Sequence, residues 1–254
     1  MLVTIQIHVC PQCGSTSIVR NGKDYKGAQK YKCNNCLSYG TLDAKPRYTE
    51  AFKQLVISAY LERMSMRGIQ RVFGVHPETL GRWLLEYSEK MPYLEEILDG
   101  SDENDILELD ELWSFVLKKA NKVWIWIAIC RRTRQVVAYY VGDRSDNSLK
   151  KLWERIPDSY KRSLSFSDFY GAYQRVLKNK RHVCVDKKTG KTAHVERFNN
   201  TLRQRLGRFV RKTLSFSKSI LMHEVVVKLF IIYLSLVHFA SPCLPLGDNL
   251  SCSF

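Results

Sequence analysis

The sequence predicts an α/β (α+β) protein in which a mixed-sheet domain follows two small modules, and three observations support this. Strand-like and helical segments succeed one another between residues 105 and 240 in the order β-β-β-α-β-(α)-β-α. Three short helical patterns fill residues 49–90, and two CxxC pairs lie near the N-terminus. We therefore expect modules at residues 1–46 and 47–91, a linker at 92–104, the sheet domain at 105–240 and an unstructured tail at 241–254.

The composition predicts a packed core and a polyanionic partner. Of the 254 residues, 45% are hydrophobic, which is too many for a disordered chain, and the formal net charge is +15. The positive charge is concentrated in residues 148–254, which hold 20 basic and 7 acidic side chains. Charge alone leaves ribosomes and anionic membranes open as partners beside nucleic acid.

The hydropathy pattern argues against a membrane protein. The first nine residues lack the basic start of a signal peptide. The stretch from Ile220 to Ala240 is strongly apolar, but its uninterrupted apolar runs are much shorter than the ~20 residues that span a bilayer. We expect a core helix there, no membrane contact, and a cytosolic protein with reduced thiols.

Four of the eight cysteines have the spacing of zinc ligands. Cys10 and Cys13 form one CxxC pair, Cys33 and Cys36 form another, and 19 residues separate the pairs. Zinc binds four thiolates in a tetrahedron, and each CxxC turn presents two of them on one side. Because all four positions are then filled, a bound Zn²⁺ would be structural. A redox or disulfide pair is the alternative interpretation.

The residues between the two cysteine pairs complete the pattern of a zinc ribbon. Residues 17–20 and 29–32 are strand-like, and Asn21-Gly22 is a typical turn sequence between them. A module this small cannot bury a sufficient core alone, so we expect metal binding to drive its folding.

The second module has the pattern of a helix-turn-helix. Thr49 starts one helix, Ser65 caps a second that ends at Gly74, and Pro77 opens a third. Any small three-helix bundle shares this pattern, and residues 49–100 are slightly acidic, with 6 basic and 8 acidic side chains. The basic residues expected on a DNA-facing side are Arg67, Arg71 and Arg82.

The sheet domain is predicted from five apolar runs and two helices. A helix beginning at Asp146 or Asn147 ends before Pro157, and Thr192 caps a long final helix whose apolar stripe continues to Phe209. Strand periodicity assigns three tryptophans to the core, namely Trp113, Trp124 and Trp126. The predicted strands lie at residues 106–116, 122–130, 135–142, 163–166 and 182–185.

Three acidic residues occupy positions from which they can converge. Asp110 lies in the first strand, Asp168 at the end of the fourth, and Glu196 on the final helix, with separations of 58 and 28 residues. Their surroundings are more specific than the spacing. Residues 109–115 read LDELWSF, residues 167–173 read SDFYGAY and residues 194–200 read HVERFNN.

These segments resemble the signatures of the IS-one family of insertion sequence transposases, which share the ribonuclease-H-like fold of DDE transposases and retroviral integrases. That family also begins with a zinc ribbon and a helix-turn-helix, and the resemblance extends to about residue 235. It implies a transposase in which Asp110, Asp168 and Glu196 hold two Mg²⁺ (or Mn²⁺) ions, with Asp110 bridging them. Two ions roughly 4 Å apart activate the nucleophile and stabilise the leaving oxygen.

The resemblance also implies the reaction and the partners. Water frees a 3′-OH at the end of the element, and that 3′-OH then attacks target DNA. The partners are double-stranded DNA, as terminal inverted repeats and as target, and further copies of the chain in a homodimer or higher multimer. The implied location is prokaryotic and nucleoid-associated.

Residues beside the trio are candidates for supporting roles. Glu108 shares the strand face of Asp110 and is an accessory ligand or, more simply, a solvated carboxylate, whereas Glu111 points to the opposite face. His194 stands near the metals or has a structural role. Seven side chains after Glu196 are expected to contact DNA, namely Asn199, Asn200, Arg203, Arg205, Arg208, Arg211 and Lys212. For the first three, orienting Glu196 is an alternative role.

Two other functions fit parts of the sequence. One is a DNA-binding regulator whose catalytic half is inactive, although the presence of all three carboxylates argues against it. The other is a ribonuclease-H-like nuclease that does not join strands. Residues 241–254 depart from the family pattern, which leaves the completeness of the last helix open.

Overall fold

The computed structural model describes residues 8–42, 48–178, 180–210 and 214–239, with side chains to residue 236 in the last range. The chain forms two compact units, of which the first ends at Phe52 and the second begins at Lys53. The predicted tail and two of the predicted DNA contacts, Arg211 and Lys212, lie outside the described residues.

The first unit contains a small antiparallel sheet of three strands in the order β1-β2-β3. They are β1 (Ile18–Lys23), β2 (Gln29–Cys33) and β3 (Tyr39–Gly40). The turn predicted at Asn21-Gly22 is wrong, because both residues lie in β1 at a register irregularity. The chain reverses after Asp24, whose Oδ1 accepts the amides of Lys26 and Ala28 at 2.8 Å. This side-chain bond stabilises a longer turn than the dipeptide indicated.

Three helices follow, as predicted: α1 (Glu50–Leu61), α2 (Met66–Phe73) and α3 (Pro77–Lys90). Ser65 caps α2 by accepting the amide of Gly68 at 3.0 Å, and Gly74 ends it with φ of 67°. A left-handed residue at this position favours glycine, which has no Cβ. The helix α3 also packs against the last helix of the chain, so these helices are not an isolated three-helix bundle.

The segment predicted as a linker, residues 92–104, is bonded to the sheet domain. It contains a short 3-10 turn at Leu94–Ile97. The Gln135 side chain accepts the amide of Asp99 at 2.9 Å and donates to the carbonyl of Ile97 at 3.0 Å.

The main sheet has five strands in the order β6-β5-β4-β7-β8. The pairs β6–β5 and β5–β4 are antiparallel, whereas β4–β7 and β7–β8 are parallel, which confirms the predicted mixed sheet. The strands are β4 (Ile106–Phe115), β5 (Lys122–Cys130), β6 (Val136–Gly142), β7 (Leu164–Ser167) and β8 (His182–Cys184).

Helices cover both faces of this sheet. On one face α4 (Asp146–Arg155) and α6 (Gly171–Val176) enclose a core with Leu107, Leu109 and Trp126, and α5 (Asp158–Lys161) adds Tyr160. Alternation along β4 therefore turns its even-numbered residues to the other face, which α7 (Ala193–Arg205) covers. The helix α8 (Ile220–Phe239) lies beside α7 on that face.

Two predicted helix boundaries are wrong. Ser145 caps α4, rather than Asp146 or Asn147, because its hydroxyl accepts the amide of Ser148 at 3.3 Å. The helix α7 ends at Arg205, and Gly207–Phe209 form a 3-10 turn, so the apolar stripe to Phe209 does not continue on one helix.

The apolar segment near the C-terminus is a core helix. Val226, Val227 and Phe230 of α8 are fully buried. Within the described part of the chain, no helix has the length and apolar character needed to cross a membrane.

Candidate active site

Asp110 lies in the middle of β4 and faces α7. Its Oδ2 accepts a hydrogen bond from Nδ2 of Asn199 at 2.7 Å. Burial, followed by the charge of Glu111, raises the pKa of Asp110 to about 7, and the Asn199 bond opposes this rise. The site without metal therefore disfavours the charged form of this carboxyl group.

Asp168 and Glu196 come from two other elements. Asp168 directly follows β7, the parallel neighbour of β4, and its Oδ1 accepts the amide of Tyr170 at 3.0 Å. Glu196 lies in the first turn of α7, where its Oε1 accepts the hydroxyl proton of Thr192 at 2.9 Å. Each carboxylate thus has a donor that restricts its orientation.

One cavity of about 290 Å³ unites the three predicted acids. Asp110, Asp168 and Glu196 all line it, together with three cationic side chains. The remaining lining residues are Glu111, Leu112, Trp124, Arg144, Lys187, Asn199, Asn200 and Arg203.

The carboxylate oxygens of Asp110, Asp168 and Glu196 do not all lie within 4.8 Å of one another, as the ligands of one metal ion would. Among the described residues, only the four N-terminal cysteines bring three or more potential ligand atoms within 4.8 Å of one another. Such spacing suits ligands shared between two ions, which themselves stand several ångströms apart.

Glu111 borders the cavity, although the strand pattern turns it to the opposite face. Its Oε2 accepts the hydroxyl proton of Tyr173 at 2.9 Å, and its Oε1 accepts from Nη2 of Arg144 at 2.6 Å. Burial raises its pKa, and the Arg144 bond opposes that effect. Strand alternation correctly predicted its side of the sheet, but not its place at the cavity edge.

Arg144 is a functional candidate that sequence reasoning missed. Its guanidinium lies between the rings of Trp124 and Tyr170, at 4.4 and 4.0 Å from the centroids. Trp124 is therefore only partly buried and lines the cavity, so its assignment to the core alone is wrong. No local pattern marks Arg144, since its partners lie 20 to 33 residues away along the chain.

Glu108 is neither a solvated carboxylate nor an accessible metal ligand. It is 0% exposed, and Arg131 and His194 bond its carboxylate at 2.8 and 2.6 Å. The contact of His194 with Glu108 is therefore a structural one.

The predicted helix residues divide into two groups. Asn199, Asn200 and Arg203 line the cavity, but Asn199 bonds Asp110 rather than Glu196. Arg205 bonds Glu62 through Nε at 2.9 Å. Arg208 is 8% exposed and donates to Tyr60 and to the Met222 carbonyl, so the predicted phosphate contact of Arg208 is wrong.

The three arginines expected on a DNA-facing side of the second module are exposed. Arg67 and Arg71, one turn apart on α2, line a cavity of about 960 Å³ together with His76 and Lys218. Arg82 on α3 is exposed but does not line that cavity.

The four N-terminal cysteines converge as predicted. Sγ of Cys10 lies 3.6 Å from Sγ of Cys36, and Sγ of Cys13 lies 3.6 Å from Sγ of Cys33. A tetrahedral Zn–S₄ site has S···S edges of about 3.8 Å. Amides of Gln12 and Cys13 lower the pKa of Cys10 to about 6, which favours the thiolate.

A mixed sheet whose β4 and β7 strands meet a covering helix at an acidic cavity is the ribonuclease-H-like arrangement of the DDE transposases. The model of the IS1 transposase family matches residues 105–238, and that of the InsA N-terminal domain, a zinc ribbon, matches residues 2–37. The chain therefore belongs to the IS1 transposase family, and transposases are DNA-cutting enzymes.

Individual relatives agree with the family. The sheet domain is 40% identical over 128 residues to the insertion element iso-IS1n protein InsB of Shigella dysenteriae, covering 50% of this chain and 93% of that protein. It is 36% identical over 131 residues to the IS1 4 protein InsB of Escherichia coli K12, covering 52% and 76%. A solved pre-cleavage Mos1 transpososome is 8% identical with a TM-score of 0.27, covering 76% of this chain and 80% of that one, a level at which no residue correspondence follows.

Proposed function

We propose that this transposase binds the terminal inverted repeats of an insertion sequence, hydrolyses one strand to free a 3′-OH, and joins that 3′-OH to target DNA. The observation that carries the proposal is the single cavity lined by Asp110, Asp168 and Glu196. Three carboxylates from two adjacent strands and a helix are the donor set expected of two-metal phosphoryl transfer.

The residues of the cavity fit Mg²⁺ or Mn²⁺. The trio offers hard oxygen donors, and within the described residues the buried Oδ1 of Asn199 has no hydrogen-bond partner. The raised pKa of Asp110 reflects negative charge confined in a poorly solvated place, which a cation would relieve. Bound metal would supply activation of the attacking oxygen and stabilisation of the leaving oxygen.

The chain's own residues would hold the ions and the DNA backbone. Asp110, Asp168 and Glu196 would hold the ions, and Asn199 donates to the Asp110 carboxylate and restricts its orientation. Lys187 and Arg203 line the same cavity and would bind the phosphates beside the scissile bond, because cationic side chains attract them. Asn200 would contact the DNA end.

The DNA-binding surface would extend to the helix-turn-helix. Arg67, Arg71 and Arg82 are exposed and would contact the inverted repeats. Arg205 would contribute only after leaving Glu62. The predicted contacts Arg211 and Lys212 stay predictions, since they lie outside the described residues.

The four cysteines would hold one structural Zn²⁺. Their Sγ distances support this assignment, and no fifth position is needed for chemistry. A homodimer or higher multimer would act on paired ends, because two element ends need two acidic cavities and each chain supplies one for this reaction.

Labelled element ends, target plasmid and Mg²⁺ test the proposal. We expect nicked ends and joined products with the wild-type protein, and neither with Asp168→Asn. The matched control is Asp158→Asn, since Asp158 is 93% exposed on α5 and pairs only with Lys161 in the described structure. Cleavage without joining would favour a nuclease, and binding without cleavage would favour a DNA-binding regulator.

A further inference from the structure

The first turn of α7 is not capped by its own N-cap residue. Thr192 occupies that position, but its hydroxyl accepts no amide of the turn. The hydroxyl donates instead to Oε1 of Glu196 at 2.9 Å. Because the first amides of a helix have no partner inside the helix, their hydrogen bonds must be completed by another acceptor.

Glu108 supplies this acceptor from β4. Its Oε2 accepts the amides of His194 at 2.8 Å and Val195 at 3.2 Å. Its Oε1 accepts from Nδ1 of His194 at 2.6 Å and from Nε of Arg131 at 2.8 Å. A fully buried carboxylate requires such complete pairing, and four donors hold it in one orientation.

Arg131 extends the connection to the loop before α7. While its Nε bonds Glu108, its Nη2 donates to the carbonyl of Lys191 at 2.7 Å. Both the approach to the helix and its first turn are therefore bonded to the strand β4 through Glu108 and the arginine beside it.

We propose that Glu108 is a positioning residue for the reaction: it caps α7 from β4 and thereby leaves the Thr192 hydroxyl to hold Glu196. This rests on the proposed function, in which Asp110 and Glu196 serve one site. Glu108 precedes Asp110 by two residues on the same strand face, and its amide partners immediately precede Glu196. The Glu108 carboxylate thus connects β4, which carries Asp110, to α7, which carries Glu196.

The loss of Glu108 would redirect the Thr192 hydroxyl. A threonine at the N-cap ordinarily accepts the amide of the second or third helical residue, and those residues are His194 and Val195 here. Without the Glu108 carboxylate the Thr192 side chain would turn so that its oxygen accepts these amides, and this movement would take the hydroxyl out of reach of Oε1 of Glu196.

Four variants of the full chain test this: Glu108→Ala, Glu108→Gln, Thr192→Val and the double variant Glu108→Ala/Thr192→Val. Two quantities are measured. The first is the Mn²⁺-dependent cleavage rate per folded molecule on labelled element ends. The second is hydrogen–deuterium exchange of the α7 amides without added Mg²⁺ or Mn²⁺, which reports the cap independently of activity.

We expect Glu108→Ala to speed exchange at residues 194 and 195 and to slow cleavage about 10-fold or more, as loss of a bond that orients a metal ligand does. Thr192→Val slows cleavage similarly without faster exchange. Glu108→Gln retains an acceptor oxygen and recovers most of the protection. The double variant is no slower than the slower single variant, because both changes remove the same Thr192–Glu196 bond.

Asp105 offers a matched control. It is also a buried carboxylate, and it is bonded by Arg132, the residue after Arg131, at 2.7 Å. Its hydrogen-bond partners in the described structure, Asp102, Cys130 and Arg132, lie outside α7. Asp105→Asn should lower the melting temperature and leave cleavage per folded molecule unchanged.

Wild-type exchange and cleavage in Glu108→Ala, or independent effects that multiply in the double variant, would overturn the proposal. If Glu108→Ala does not fold, wild-type cleavage by Thr192→Val overturns it. An inactive wild-type protein would contradict the proposed function instead. The exchange measurement would still show whether Glu108 caps α7.

Discussion

Asp168 follows Asp110 by 58 residues, the same offset that pairs the parallel strands β4 and β7. The ladder pairs Ile106 with Leu164 and Glu108 with Phe166. The ladder ends at Glu108 and Phe166, and the two chain segments continue from it in the same direction, so the pairing directs both acids to one cavity. Glu196 reaches the same cavity because α7 is packed against β4.

The Asp110 carboxyl group should stabilise the protein without added Mg²⁺ or Mn²⁺ by an amount that falls as the pH rises from about 4 to about 7. The folded protein holds the Asp110 proton more tightly than the unfolded chain, because burial raises the pKa from 3.8 to about 7. This contribution is complete below the unfolded pKa and is lost as the pH rises through the folded pKa, in total roughly 3–4 kcal/mol. Urea unfolding of the wild type and of Asp110→Asn across this pH range measures it, because the difference between their free energies of unfolding should change as the pH rises. Equal slopes in both proteins would contradict the assignment.

Arg144→Ala should destabilise the fold by about 2–3 kcal/mol, because the Glu111 carboxylate, 2% exposed, would lose its ion-pair partner. Arg144→Lys should not restore it, since an ammonium group cannot lie flat between Trp124 and Tyr170 while bonding Glu111. Thermal and urea unfolding are the measurements.

Combining Arg144→Ala with Glu111→Gln should recover stability by removing the unpaired charge. The control is Arg155→Ala, because Arg155 also lies over an aromatic ring, that of Tyr140 at 4.9 Å, but does not line the acidic cavity. We expect its cleavage rate to equal that of the wild type. A double variant as unstable as Arg144→Ala would show that the ion pair is not the cause.

Removal of zinc should unfold the N-terminal module, because its small sheet has little apolar area to bury. The purified protein should hold one zinc per chain, and Cys13→Ser should hold much less and lose the dispersed NMR signals of residues 8–42. Cys184→Ser, which changes a half-buried cysteine beside β7, is the control and should retain zinc. A stable module without zinc would contradict the prediction.

Arginines of the helix-turn-helix and of the segment after α7 should behave differently. Arg67→Ala and Arg71→Ala should each weaken binding to element ends and reduce the salt slope by about 1. Arg208→Ala should instead lower the melting temperature, because its guanidinium is buried against Tyr60 and Met222. Salt titrations of DNA binding distinguish Arg67 and Arg71 from Arg208. A reduced salt slope in Arg208→Ala would support the phosphate contact that the sequence predicted for Arg208.

Local features of the chain could be predicted from the sequence. The cap at Ser65, the glycine at residue 74 and the CxxC pairs act over two to four residues, so their chemistry is visible in the sequence. The succession of strands along the chain followed from apolar runs, and the three acids were proposed from segments that resemble a family's signatures. The turn at Asn21-Gly22 failed because the strand continues through it to Asp24.

The sequence by itself determined the zinc-ligand pattern, the succession of strands and helices, and the acids Asp110, Asp168 and Glu196. The tertiary structure alone decided how these acids are held and which neighbours serve them. Glu108 meets its amide partners across 86 and 87 residues, and Asn199 meets Asp110 across 89. Arg208 is buried by Tyr60, 148 residues away. Sequence periodicity reports which side of an element is buried, whereas a hydrogen-bond partner is chosen by the packing of elements that are distant along the chain.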